Sequence, residues 1–118
     1  MDDLPILDPK PLHDLLDLGG SVEVIHELIA LFEEDVPLHL ALLKTAMGAL
    51  DGPRIMMEAH QLKGAVGNLG LARFAELAAR IEALAREEHL EQIPGRADHL
   101  PAAYEEALQA LNTAFPGQ

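Results

Sequence analysis

Apolar residues recur along this chain at the three-and-four spacing of a single helix face, in long segments divided by short glycine- or proline-containing turns. That rhythm limits the fold more than any other feature. One segment carries Leu28, Ile29, Leu31, Phe32, Val36, Leu40, Leu43, Met47 and Leu50. Another carries Phe74, Leu77, Ala78, Ile81, Leu84 and Ala85, and a third Leu100, Tyr104, Ala107, Leu108, Leu111 and Phe115. Leucine and alanine, both strong helix formers, dominate these stripes, and β-branched residues are few. Helices are therefore expected over about residues 9–18, 22–50, 54–69, 72–88 and 97–115.

The breaks between segments set the topology. Gly19-Gly20 closes the first helix, with Pro11 tolerated in its first turn, and Ser21 is expected to cap the second. Pro37 is expected to kink that helix without ending it, because the periodicity resumes at once. Asp51-Gly52-Pro53 reads as a turn, Gly70 as a stop, Ile93-Pro94-Gly95 as a further break, and Pro101 as a first-turn proline. Such short turns make consecutive helices antiparallel neighbours. The expected fold is all-α: an up-down-up-down four-helix bundle with an additional short N-terminal helix across one end. At 118 residues the chain suits one domain, 1–118.

Several function classes drop out on composition. The chain has no cysteine, which excludes a disulfide framework, a thiolate metal site and a cysteine nucleophile, and fits a reducing compartment. The opening Met1-Asp2-Asp3-Leu4-Pro5 is acidic and lacks the apolar stretch of a signal peptide. No apolar run approaches the roughly 20 residues that span a bilayer. The expectation is a cytoplasmic protein with no membrane association, a monomer, and free-standing in view of Met1 and the short tail. A formal net charge of −12 argues against nucleic acid. The charge is uneven, however. Residues 54–86 hold five basic and three acidic side chains, and the rest of the chain three basic and seventeen acidic. The less acidic segment is the natural place for an anionic group or an acidic partner.

That segment contains the third helix. On a wheel with His60 at zero, Ile55, Ala59, Leu62, Val66 and Leu69 fall between about 180° and 260° and form the core face. His60 points nearly the opposite way. Around it lie Lys63, Gly64 and Gly67, with Met56 and Met57 one turn back. Glycine in a helix interior costs about 1 kcal/mol relative to alanine, so two on an outward face suit a surface that a partner must approach closely. In a hairpin turning at Gly70, Glu82 of the next helix lies level with His60, where its carboxylate can accept a hydrogen bond from one imidazole nitrogen and leave the other free. Arg86, one turn further, is placed to face a bound phosphoryl group. His13, His26, His39, His89 and His99 lack such surroundings and are expected to be solvated.

Ala59-His60-Gln61-Leu62-Lys63-Gly64, followed by Asn68-Leu69-Gly70, resembles the signature of histidine-containing phosphotransfer (HPt) domains. Ile6-Leu7-Asp8 with Gly19-Gly20, Leu31 to Pro37, and Ala79-Arg80-Ile81-Glu82 are similar to other parts of that family's pattern. The resemblance implies that His60 is the phosphoacceptor, Lys63 a compensating cation and Gly64 a close-approach glycine. Glu82 is implied to orient His60, and Gly67, Gln61, Met57, Asn68 and Arg86 are the expected docking residues. It further implies a reversible phosphorelay step with the aspartate of response-regulator receiver domains and a hybrid sensor kinase. The receiver supplies Mg²⁺, and no cofactor is bound by the chain itself. No P-loop is present, so autonomous kinase activity from ATP is not expected. Two other readings compete. One is a non-catalytic adaptor that docks a receiver. The other is a metal-binding bundle, for which only Glu23-x-x-His26 has the required spacing; no metal ligands are expected.

Overall fold

Six helices form among the described residues, 4–116, of the computed structural model; the acidic opening Met1-Asp2-Asp3 lies outside them. They are α1 (Lys10–Asp17), α2 (Val22–Gly48), α3 (Gly52–Gly67), α4 (Ala72–Arg86), α5 (Ile93–Ala97) and α6 (Leu100–Ala114), with a single 3-10 turn at Leu90–Gln92 before α5. Helices α2, α3, α4 and α6 form the four-helix bundle. Twenty-seven residues of α2 span about 40 Å at 1.5 Å per residue, which sets the 44 Å long dimension of the molecule.

The periodic stripes meet along the axis. Ile25, Ile29, Phe32, Val36 and Leu43 of α2 face Ile55, Ala59, Leu62 and Val66 of α3 and Phe74, Ala78, Ile81 and Ala85 of α4, all buried. Leu100, Ala103, Ala107 and Leu111 close the core from α6. Each large apolar side chain removed from water in this way contributes about 1.5–3 kcal/mol before the entropy of ordering is counted. Phe32 and Tyr104 stack at a ring separation of 5.3 Å and tie α2 to α6.

Four expectations require correction. Ser21 occupies the N-cap of α2, but its side chain makes no capping bond; its backbone carbonyl takes the Val24 amide instead, at 3.1 Å. The cap that does form is on α3, where the Asp51 carboxylate accepts from the Arg54 amide at 3.2 Å. Leu31 and Leu50, placed on the apolar stripe of the second helix, are 51% and 71% exposed, and Leu50 lies beyond the end of α2. Ile93-Pro94-Gly95 does not break the chain: it begins α5, because proline in a first turn gives up an amide that has no helical partner anyway. The last helix accordingly starts at Leu100, with Pro101 in its first turn. Helix α2 runs through Pro37 without interruption.

The α3–α4 hairpin positions the site. Gly70 turns with φ +82°, and a Cβ there would collide with the Asp8 carbonyl. The segment before α1 lies over this turn. The Asp8 amide donates to the Gly70 carbonyl at 2.7 Å, the Arg73 amide to Pro5 at 3.1 Å, and the Arg73 guanidinium to the Leu4 carbonyl at 3.1 and 3.2 Å. With the turn fixed, each residue of α3 has a defined neighbour on α4.

Candidate functional site

One carboxylate organises the outer face of the hairpin. Glu82 follows Ile81 on α4 and is itself buried, at 6% exposure. A buried charge must be paired, and Glu82 is paired at both oxygens. Oε1 accepts from Lys63 Nζ at 2.8 Å. Oε2 lies 2.9 Å from His60 Nδ1 and accepts from Arg86 Nη2, also at 2.9 Å. Three side chains from two helices thus converge on one group.

Burial pushes the Glu82 carboxyl up, but the hydrogen bonds and charges of Lys63 and His60 together outweigh it and hold the carboxyl below its ordinary value. Glu82 is therefore ionised at neutral pH. An ionised carboxylate only accepts hydrogen bonds, so His60 Nδ1 carries the proton and donates it. In the neutral ring with Nδ1 so engaged, the lone pair belongs to Nε2. The His60 side chain is 65% exposed, which directs that lone pair to solvent. A fixed neutral imidazole with an accessible nitrogen is a competent nucleophile.

Gly64 and Gly67 lie exposed on the same face. A Cβ at Gly64 would meet nothing within 4 Å, and one at Gly67 would touch the Ala75 Cβ at an ordinary 3.8 Å. Neither glycine is required by the bundle's packing. Gln61 and Met57 are exposed beside His60, and Asn68 is exposed at the C-cap of α3. Met56 is half-buried against the core. Lys63 and Arg86 do not extend freely into solvent; both cations rest on Glu82. Arg73 and Arg80 lie elsewhere, paired with Glu106 at 3.6 Å and Glu76 at 3.1 Å.

Glu58 is a second buried carboxylate that periodicity did not single out, 2% exposed one turn before Leu62. Its Oε2 accepts from Arg54 Nε at 3.1 Å, while Oε1 has no partner. The Arg54–Glu58 spacing of four residues was the available signal. Two of the other histidines are less solvated than expected. His26 is half-buried with Nε2 on the Pro116 carbonyl at 3.2 Å, and His39 is half-buried with Nδ1 unpartnered. His13 packs edge-on against Phe115. Among the described residues no three His, Asp or Glu side chains converge as a metal site needs, and none of the helices is long and apolar enough to cross a membrane.

The Hpt domain family model matches residues 27–114. The chain is 32% identical over 77 residues to the aerobic respiration control sensor protein ArcB of Escherichia coli K12, and to the same degree to ArcB of Shigella flexneri. The matched stretch is 65% of this chain but only 10% of either relative. No solved structure matches significantly.

Proposed function

Because this chain belongs to the Hpt domain family, whose members carry phosphoryl groups in phosphorelays rather than act as autonomous kinases, we propose that His60 is its phosphoacceptor and Nε2 the atom that bonds phosphorus. The observation that carries this reading is the His60 Nδ1–Glu82 hydrogen bond, which occupies Nδ1 and leaves Nε2 as the nitrogen available to a phosphoryl donor. In the forward step the Nε2 lone pair attacks the phosphorus of a receiver's aspartyl phosphate. The P–O bond to the aspartate breaks, its electron pair stays on the released carboxylate, and the imidazole becomes cationic, with the proton still on Nδ1 and hydrogen-bonded to the Glu82 carboxylate. The reverse step returns the phosphoryl group by the same path.

Phosphoryl transfer passes through a loose transition state, so alignment and charge compensation supply most of the catalysis. Glu82 supplies the alignment. Lys63 and Arg86, both seated on the Glu82 carboxylate that holds His60, are the cations of this chain that compensate the phosphoryl charge, with Mg²⁺ belonging to the receiver. Gly64 and Gly67, with Gln61, Met57 and Asn68, form the surface on which the receiver seats. The proposed partners are response-regulator receiver domains and a hybrid sensor kinase, in the cytoplasm.

The test is His60→Gln. Its helix content and melting should match wild type, because the side chain is exposed, and phosphoryl acceptance from a phosphorylated receiver should vanish. The wild-type product should be acid-labile and base-stable, as a phosphoramidate is. Residual labelling of His60→Gln at another histidine overturns the assignment, and receiver binding without any labelling of the wild type establishes the adaptor reading instead.

A further inference from the structure

Only two non-glycine residues among those described have a left-handed backbone, Leu50 at φ 53° and Glu88 at φ 63°. Each stands one position past a helix C-cap. After α2 the Asp51 amide reaches back to the Ala46 carbonyl at 3.1 Å, and after α4 the His89 amide reaches Leu84 at 2.8 Å. These are six-to-one bonds of the turn that strongly prefers glycine at the left-handed position. Leucine is a poor choice there twice over. Its Cβ opposes the backbone conformation, and its side chain is 71% exposed. Nothing in the packing of the free domain accounts for it.

Both strained residues line one groove of about 500 Å³ between the ends of α2 and α4 and the start of α3, with Met56, Ala85, Arg86 and Leu90 among its walls. Strained backbone of this kind concentrates at binding sites. The groove is apolar within and carries Arg86 and Glu88 at its edge, the pattern of a recognition patch with a polar rim. Methionine adds an adaptable wall. We propose that the receiver exchanging phosphoryl with His60 seats an apolar side chain in this groove, with Leu50 as a specificity-determining wall. The inference rests on the phosphoacceptor reading above.

Continuity with the site identifies the occupant. Arg86 lines the groove and also donates to the same Glu82 oxygen that holds His60. Met56 lies one turn before His60 on α3. At 1.5 Å per residue, Gly52 and His60 are about 12 Å apart along that helix. A standard interface covers about 800 Å² per partner, a disc of about 16 Å radius, so a receiver centred on His60 reaches the groove.

The test uses Leu50→Gly and Leu50→Asn, both compatible with the left-handed backbone, and the receiver domain of the source organism that exchanges fastest with wild type. Both variants should melt at or above the wild-type temperature and accept phosphoryl from phosphoramidate at the wild-type rate. Their affinity for the receiver should fall about tenfold, with the single-turnover transfer rate at saturating receiver little changed. Wild-type affinity in both variants overturns the groove while leaving His60 untouched, and so does an equal loss with phosphoramidate and receiver. If wild-type His60 accepts from neither donor, the phosphoacceptor reading fails, and this inference fails with it.

Discussion

Gly64 offers the sharpest separation of folding from function. It lies in the interior of α3, exposed, one turn beyond His60, and a Cβ there meets nothing within 4 Å. Gly64→Ala should therefore stabilise the free domain by up to about 1 kcal/mol through helix propensity and a less flexible unfolded chain. A domain of this length unfolds with an entropy of about 250 cal/mol/K, so the melting temperature should rise by about 4 °C. Gly64→Gln should fold comparably well, since glutamine is also a good helix former. Its side chain, however, stands about 5–6 Å from that of His60, measured between Cβ atoms, in the path of an approaching receiver. Reacting atoms must come within about 3–3.5 Å, and a misplacement of about 1 Å costs on the order of a hundredfold. Single-turnover transfer from a phosphorylated receiver, followed by rapid quench, should fall by about that factor in Gly64→Gln. Phosphorylation by phosphoramidate, which needs no docking surface, should stay within a few-fold of wild type. Transfer from the receiver at the wild-type rate, or a lowered melting temperature in both variants, refutes the reasoning and makes Gly64 a packing residue.

Two further predictions concern Glu82. Its carboxyl is held below the ordinary value of 4.5, so it contributes stability that is complete above that pH and lost as pH falls through its own lower value. The stability difference between wild type and Glu82→Gln, from urea titrations, should be constant near neutrality and shrink below about pH 4.5; a difference that persists unchanged into acid removes the charged network as its cause. The same substitution should also lengthen the life of phosphorylated His60 severalfold, because the carboxylate keeps Nδ1 protonated and a protonated ring departs as neutral imidazole. Phosphorus NMR of the decay measures this, and an equal or shorter lifetime counts against it.

The core face of α3 was legible because Ile55, Ala59, Leu62 and Val66 repeat with the helix period and are buried, as is Leu69 just past the helix end. The level of Glu82 beside His60 was legible for a related reason: a tight turn at Gly70 fixes which residues of α3 and α4 stand opposite. Leu31 and Leu50 were misread because hydrophobicity at roughly the right spacing says nothing of which flank of the stripe a neighbour covers. Leu50 is decided by the end of α2 at Gly48, two residues earlier than the periodicity suggests. Pro94 and Gly95 looked like a break because both disfavour helix interiors, yet a first-turn proline after the 3-10 turn starts α5. Arg86 and Lys63 were read as facing solvent or phosphate. That they rest on Glu82 depends on how deeply that carboxylate is set, which only the packed hairpin determines.

The clasp of residues 4–8 over the α3–α4 turn has a mechanical consequence. A tag or a domain joined ahead of Leu4 hangs from the hydrogen bonds of Asp8, Pro5 and Leu4 to Gly70 and Arg73. Load applied there is delivered first to the hinge of the hairpin, which begins about 10 Å along α3 from His60. Because α3 carries His60 and α4 carries Glu82, a pull that slides one helix against the other acts like a shear across the site. The opposite end of the hairpin, where Leu50 and Glu88 stand, bears none of that load directly.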